Sequence, residues 1–322
     1  MKVLITDIAF DDIEPERRLL EPMGAELTMA SSTDPGTLAA EAGDADAILV
    51  CFAPLPASVV DAAGAGGCRV ISRYGIGYDN VDVEAATANG IVVTNVPDYC
   101  LDEVADHTMA LLLDHARAIT VSAASVSAGE WDFDRARIGR IAGKRLALIG
   151  FGGIGRRVAE RAVAFGLDVH AFDPYVEDAG EAGVTMDDDL AGMVSQADFV
   201  SVHAPLTADN HHLVDADLIS KMKDSALLIN TARGGLVDLE VATLALQRGE
   251  IGGLALDVTE PEPLPEDHPL RVHERAVITP HAAFHSVEAT EELQTRAARE
   301  VAHALSGEPN ENPVNEVTAR TS

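Results

Sequence analysis

Residues 145–173 constrain the fold of this chain more than any other stretch. An apolar run, RLALI, passes directly into Gly150-Phe151-Gly152-Gly153-Ile154-Gly155; a helical pattern follows over 156–165, and a second apolar run, LDVHAF, ends at Asp173. A G-x-G-x-x-G string by itself is common. Between two strand-like runs, with a helix behind it and an acid about twenty residues on, it describes the βαβ unit of a parallel sheet that holds a dinucleotide. Gly150 permits the tight turn, Gly152 lets the backbone approach a pyrophosphate, and Gly155 lets the helix pack on its strand, while Gly153 and Ile154 complete the loop. The helix N-terminus offers unbonded N–H groups and the positive end of its dipole to the anion. Asp173 would accept hydrogen bonds from ribose hydroxyls and repel a 2′-phosphate, so the expected cofactor is NAD rather than NADP.

The same alternation runs through the chain. KVLITDI, GAELTMA, AILVCF, CRVISRY and GIVVTNVP read as strands separated by helical or turn segments, which makes residues 1–99 a small α/β unit of flavodoxin-like type. Residues 101–128 read as one helix with an acidic start at Asp102 and Glu103, and this helix opens the second domain. RLALIG, LDVHAFD, DFVSVHAP, ALLINTA, GGLALDV and AVITP supply six strands of a second parallel sheet, and 287–305 reads as a closing helix followed by a loop-like tail. The expected fold class is α/β, two Rossmann-like doubly wound domains with a cleft between them.

Composition narrows the partners. The formal net charge is −30, from 53 acidic against 23 basic residues, and only four of the latter are lysines. Carboxylates spread along the whole chain repel nucleic acid and anionic membranes, so neither is an expected partner. Much acid with little lysine also suits a salt-rich interior, where multimolar salt screens self-repulsion, and a halophilic source is expected. Cys51, Cys68 and Cys100 form no C-x-x-C pair, and the N-terminus MKVLITDIAF has neither the pattern of a signal peptide nor that of a membrane span; both point to the cytoplasm.

Ionisable residues recur at strand ends, where ligands of open α/β sheets bind. Arg233 follows LLINTA, Asp257 and Glu262 follow LAL, and His281 follows VITP. Reduction of a 2-keto acid requires the carboxylate to be held, the carbonyl to be protonated as hydride arrives, and the proton donor to stay charged until then. A planar guanidinium grips a carboxylate bidentately, which suits Arg233. Histidine is the side-chain type whose unperturbed pKa lies nearest neutrality, which suits His281 as acid/base, and a carboxylate such as Glu262 would stabilise its imidazolium and set its tautomer.

At these residues the chain resembles the D-isomer-specific 2-hydroxyacid dehydrogenase family, which includes phosphoglycerate dehydrogenases and glyoxylate reductases. The resemblance rests on RYGIGYDNVD, LIGFGGIGRRVAERAVAFG, LLINTARGGLVD, LALDVTEPEP and ITPHAAF. It implies that Arg233 binds the substrate carboxylate, that His281 is the acid/base with Glu262 its partner, that Asp257 contacts the nicotinamide carboxamide, and that the backbone of Ile76 and Gly77 cradles the carboxylate. It further implies that the chain crosses back. Residues 1–99 with 287–322 would then form the substrate-binding domain and 100–286 the NAD-binding Rossmann domain, in a homodimer. NVPDYC, RYGIGYDNVDVEAAT and TPHAAF are most similar to the branch that contains the C-terminal binding proteins, corepressors that keep the dehydrogenase fold; Phe284 stands where those carry a tryptophan. An NAD(H)-sensing regulator and a 3-phosphoglycerate dehydrogenase are therefore the alternatives to a 2-keto acid reductase. The end at Ser322 leaves no room for the regulatory domain that many of the latter carry.

Other residues complete the expected site. Phe52, at the end of a strand, and Tyr74, beside Gly75, are candidates for substrate contact; His203 and Thr231, at strand ends, are candidates for cofactor contact. Cys100 reads as a structural thiol and Trp131 as an interdomain or dimer contact. His211-His212 and Asp187-Asp188-Asp189 lack the spacing of zinc or calcium ligands and read as loop and surface, so no metal is expected.

Overall fold

The computed structural model describes residues 1–133, 138–180 and 183–317. The chain divides into two compact units, Met1–Tyr99 with Ser286–Ser322, and Cys100–His285.

The first unit holds five parallel strands, β1 (Lys2–Ile5), β2 (Glu26–Met29), β3 (Ala47–Val50), β4 (Val70–Arg73) and β5 (Val92–Thr94), in the order β2-β1-β3-β4-β5. This is the flavodoxin-like order. β3 is buried along its whole length, as a central strand covered on both faces must be, whereas edge strand β2 is partly exposed. One face is covered by the helices Pro35–Ala42 and Ala57–Gly66, whose Leu38, Val59, Val60 and Ala63 pack on Ile48, Val50 and Ile71. Each such aliphatic side chain removed from water contributes about 1.5–3 kcal/mol. The other face receives the long helix Val287–Ser306, tied to β4 by Ser72 Oγ donating to Ala297 O at 3.0 Å.

The loop-like tail is not loose where it is described. Buried Glu300 accepts from Asn310 Nδ2, Glu311 N, Asn312 N and Asn312 Nδ2 at 2.8–3.1 Å, and Val93 N then donates to Asn315 Oδ1 at 2.8 Å, which lays the segment beside β5.

The second unit holds seven parallel strands: β6 (Arg145–Ile149), β7 (Asp168–Phe172), β8 (Val184–Met186), β9 (Phe199–Val202), β10 (Leu227–Asn230), β11 (Gly253–Leu256) and β12 (Ala276–Ile278), in the order β12-β11-β10-β9-β6-β7-β8. The order reverses between β6 and β9, which places the glycine loop at the topological switch point of a Rossmann sheet. On one face the helices Leu101–Arg117 and Gly153–Ala164 bury Ala105, Met109, Leu112, Val158 and Ala159. On the other, Leu190–Gln196, Ala216–Lys221 and Leu239–Arg248 bury Val194, Leu218, Ile219, Ala242 and Leu246.

Two sequence expectations are corrected here. The helix expected over 101–128 breaks at Ala118, where φ is +50°; a second helix, Ile119–Ser127, leaves at 61°, its start held by Asp114 Oδ1 accepting from Thr120 N and Oγ1 at 2.8 and 2.9 Å. β8, at the sheet edge, was absent from the expected strands because three residues of alternating exposure carry almost no periodic signal. Among the described residues no single helix is long and apolar enough to cross a membrane, although that bent pair passes on length and composition.

Candidate active site

The glycine loop follows β6, and each glycine has a different reason to be there. Gly150 has φ +96°, and a Cβ on it would lie 2.7 Å from the backbone of His203 and Ala204. A Cβ on Gly155 would lie 2.6 Å from Gly150 O. A Cβ on Gly152 would meet nothing within 4 Å, so no packing within the chain demands a glycine there. The helix begins earlier than the pattern over 156–165 indicated, at Gly153 with Gly152 as its cap, because three glycines mask the helical signal. Arg156 N donates to Gly152 O at 3.0 Å, so the amides of Gly153, Ile154 and Gly155 precede the first donor of the helix and have no acceptor within it. Three backbone donors and the positive helix end therefore stand at an open position, the cradle an anionic dinucleotide requires.

Asp173 lies at the end of β7. Its Oδ2 accepts from Phe151 N and its Oδ1 from Tyr175 N, both at 2.9 Å. The carboxylate thus braces the glycine loop, and each oxygen still has lone-pair capacity for a hydroxyl. His203 N donates to Ile149 O at 2.7 Å, and its Nε2 lies 2.9 Å from Ser201 Oγ; burial pushes the imidazole pKa down to about 4, so the ring is neutral at pH 7. Thr231 Oγ1 is 2.9 Å from Thr108 Oγ1. Thr108 already donates to Val104 O at 2.8 Å, so the shared proton is that of Thr231.

The loops after β10, β11 and β12 form a second constellation. Asn230, fully buried, accepts from Ala232 N at 3.0 Å and donates from Nδ2 to Arg233 O at 2.8 Å, which fixes the backbone carrying Arg233. Arg233 Nη1 donates to Ala232 O at 2.8 Å. A Cβ on Gly234 would lie 2.1 Å from Thr259 O, so the Arg233 loop and the Glu260 loop touch backbone to backbone. His281, with φ +54°, has its Nδ1 2.7 Å from Glu262 Oε1. Its amide donates to Asp257 O at 2.8 Å. Asp257 is 2% exposed; its Oδ1 accepts from Thr279 Oγ1 at 2.6 Å and Ala282 N at 2.9 Å, and its Oδ2 accepts from Ala283 N at 2.9 Å. A single carboxylate therefore organises the turn that presents His281.

Sequence reasoning missed three residues of this group. Asn230 carries the only local signal, a polar residue closing an apolar strand. Thr279 and His107 are joined across 172 residues, His107 Nε2 to Thr279 Oγ1 at 3.0 Å. Thr279 spends its proton on Asp257, so His107 is the donor in that contact.

In the first unit the expected substrate contact through the Tyr74 side chain is corrected. Tyr74 is 1% exposed, its hydroxyl donates to Glu16 Oε1 at 2.7 Å, and its ring meets Phe10 edge-on at 5.1 Å. It belongs to the core, where Glu16, whose pKa burial raises, also accepts from Gln294. Phe52 is 43% exposed, with the Arg73 guanidinium 5.9 Å from its ring centroid. Its loop is held by Asp7, which accepts from Cys51 N, Phe52 N and Ala53 N at 2.6–3.1 Å. Asn95 Nδ2 donates to Ile76 O at 2.7 Å, fixing the turn of Ile76 and Gly77 after β4.

All three cysteines are buried and outside disulfides, and burial pushes the Cys51 thiol up to about 12. Asp187 pairs with His170 at 2.6 Å. Trp131, read as an interdomain or dimer contact, is 91% exposed in the single chain. His211 and His212, expected as plain loop, gather around Glu260.

Comparison with known proteins places this geometry. Residues 109–283 match the family described as D-isomer specific 2-hydroxyacid dehydrogenase, NAD binding domain. The chain is similar to D-3-phosphoglycerate dehydrogenase of Methanocaldococcus jannaschii, 39% identical over 318 residues, covering 98% of this chain and 59% of that protein. It is similar to glyoxylate reductase of Thermofilum pendens, 36% identical over 274 residues, covering 82% of this chain and 80% of that one. D-lactate dehydrogenase of Aquifex aeolicus, solved with NAD and lactic acid, superposes with a TM-score of 0.89 at 27% identity, covering 98% of this chain and 100% of that one. The chain thus spans well under two thirds of the length of its M. jannaschii relative, while aligning with both of its own units. With its doubly wound sheets and glycine loop, it belongs to the D-isomer specific 2-hydroxyacid dehydrogenase family.

Proposed function

We propose that this protein is an NAD-dependent D-2-hydroxyacid dehydrogenase, reducing a small 2-keto acid or oxidising the corresponding 2-hydroxy acid. The observation that carries the proposal is the His281–Glu262 pair at 2.7 Å on a turn held by Asp257. Cofactor binding alone requires no acid–base pair. The second unit is the NAD-binding domain and the first the substrate-binding domain.

NAD would be held by the amides of Gly153, Ile154 and Gly155, by Asp173 and by the backbone at His203, with Thr231 and Asp257 nearby at the strand ends. When bound, the reduced nicotinamide supplies the hydride to C2 of the keto acid. Glu262 accepts the Nδ1 proton of His281, so the exchangeable proton sits on Nε2. In reduction, His281 Nε2 gives that proton to the carbonyl oxygen, converting C=O to CH–OH; in oxidation it takes the hydroxyl proton back. Arg233 would grip the carboxylate; in the first unit, the backbone of Ile76 and Gly77 and the side chain of Phe52 are the residues proposed for substrate.

Two finer readings follow from specific observations. The M. jannaschii relative aligns over nearly the whole chain, which favours phosphohydroxypyruvate as one substrate to test. Phe284, edge-on to His281 at 6.2 Å, stands where the corepressor-like branch has tryptophan, and a regulatory role is the competing reading. Turnover of NADH against glyoxylate, pyruvate, hydroxypyruvate and phosphohydroxypyruvate separates them. Activity on one or more supports the enzyme; tight NADH binding with no turnover on any supports the regulator.

Exposed Ile119, Val126, Trp131 and Phe133 supply an apolar surface for a homodimer, to be tested by light scattering with Trp131→Ser. The net charge of −30 supports a halophilic cytoplasm, and stability should then rise with KCl into the molar range.

A further inference from the structure

The loops after β9 and β11 meet at a second cluster, which the proposed hydride chemistry does not use. His211 Nε2 lies 2.8 Å from Glu260 Oε2, and His212 Nε2 lies 3.7 Å from the same oxygen. The two rings stack with centroids 3.9 Å apart and planes inclined by 26°. Ligand atoms from all three residues fall within 4.8 Å of one another. A tetrahedral zinc with bonds of ~2.0–2.1 Å separates neighbouring ligand atoms by about 3.3–3.4 Å. The observed 2.8 and 3.7 Å bracket that spacing, and small side-chain rotations would meet it.

Two features distinguish this cluster from an ordinary surface ion pair. The Nε2 atoms of both rings converge on one carboxylate oxygen, and the left-handed backbone at His212, φ +56°, brings consecutive rings to the same side. The second feature lies behind the ring. His212 Nδ1 faces Asp238 Oδ2 at 3.5 Å, while Asp238 Oδ1 is held by Val241 N at 3.1 Å as the cap of the helix Leu239–Arg248. A fixed carboxylate behind the outer nitrogen is what orients a metal-bound histidine and raises its basicity.

The geometry points to a binding site for a divalent transition metal of the zinc class, with His211 Nε2, His212 Nε2 and Glu260 as ligands, Asp238 orienting His212, and water in the fourth position. Two imidazoles and one carboxylate select zinc, cobalt, nickel or copper over magnesium or calcium. The ion would join the segment after β9 to the segment after β11, and a Cβ on Gly235 would already lie 3.0 Å from the His211 ring, so the site also adjoins the loop after Arg233. Binding requires neutral imidazoles and releases protons, so it strengthens with rising pH.

The test uses the full chain without an affinity tag, titrated with zinc by calorimetry and with cobalt by visible absorption. The expected result is saturable uptake of one ion per chain, four-coordinate cobalt bands, and a melting temperature that rises with zinc. His211→Asn and Glu260→Gln, both at half-exposed positions, should each weaken binding by about tenfold or more, and Asp238→Asn, which keeps the helix cap through its carbonyl, by about tenfold. Melting curves without metal verify that these variants fold. His281→Ala should keep wild-type zinc affinity. The assignment is overturned if the wild type takes up no zinc, if the three variants bind it as the wild type does, or if uptake is lost with His281 instead.

Discussion

Replacing Asp257 by Asn probes the link between fold and chemistry, because that carboxylate accepts three hydrogen bonds from the turn bearing His281. An amide with its carbonyl at the Oδ1 position keeps the bonds from Thr279 and Ala282 in weaker, uncharged form. Its NH2 group then confronts the Ala283 amide, donor against donor. Losing one charge-assisted bond costs about 1.5–3 kcal/mol, and leaving a buried N–H unsatisfied costs about 1–3 kcal/mol. These two costs describe the same broken contact and overlap, so the expected destabilisation is about 2–4 kcal/mol. If the turn opens locally, the same energy appears in the transition state as a fall in kcat of about 30-fold to 1000-fold. The assay pairs urea unfolding with steady-state NADH oxidation and with NADH binding by fluorescence. A role confined to holding the turn predicts a lower kcat with NADH affinity within about threefold of wild type, whereas a nicotinamide contact would weaken NADH binding as well. Asp257→Asn with an unchanged urea midpoint and kcat within about twofold would mean that the turn bearing His281 does not depend on this carboxylate.

Gly152→Ala should leave the melting temperature unchanged yet weaken NADH binding, since its Cβ meets nothing in the chain, whereas Gly155→Ala, 2.6 Å from Gly150 O, should destabilise the fold itself; paired melting and fluorescence titrations distinguish the two. Gly234→Ala must separate the Arg233 loop from Thr259 O, 2.1 Å from the added Cβ, and is expected to raise KM for the keto acid more than Kd for NADH. Buried His203 titrates near 4 in the native chain against 6.5 when unfolded. The unfolded chain therefore binds this proton first as pH falls, so the contribution of His203 is fully present above 6.5 and is lost between 6.5 and 4. It amounts to at most roughly 3–4 kcal/mol at 1.36 kcal/mol per pH unit. Urea midpoints across that window should slope less in His203→Asn, and an equal slope would contradict the assignment.

Much of this was legible in the sequence where function depends on local pattern. The glycine loop, Asp173, Arg233 and His281 each stand at or just after the end of an apolar run, with Glu262 in the loop that follows another, and a parallel sheet delivers the ends of its strands to one edge. Contacts that depend on long-range pairing were not legible. Tyr74 looked accessible because Gly75 follows it, but its partner Glu16 lies 58 residues away on a helix that gives no sign of a buried acid. His107 reads as one more residue of an amphipathic helix until Thr279 is set against it. The His211-His212 pair lacks a ligand spacing of its own because its third member, Glu260, is 49 residues distant. The break at Ala118 was hidden for a different reason: alanine is the strongest helix former, and nothing local announces a left-handed backbone there.

In the proposed reaction His281, held by Glu262 and Asp257, moves the proton that accompanies hydride transfer. The most direct test of that role is the rate of NADH oxidation by His281→Ala in concentrated KCl, on whichever keto acid the wild type reduces best, with NADH affinity measured alongside. For the variant, kcat should fall by about 10²–10⁴-fold while NADH still binds; turnover at the wild-type rate would rule out His281 as the proton carrier.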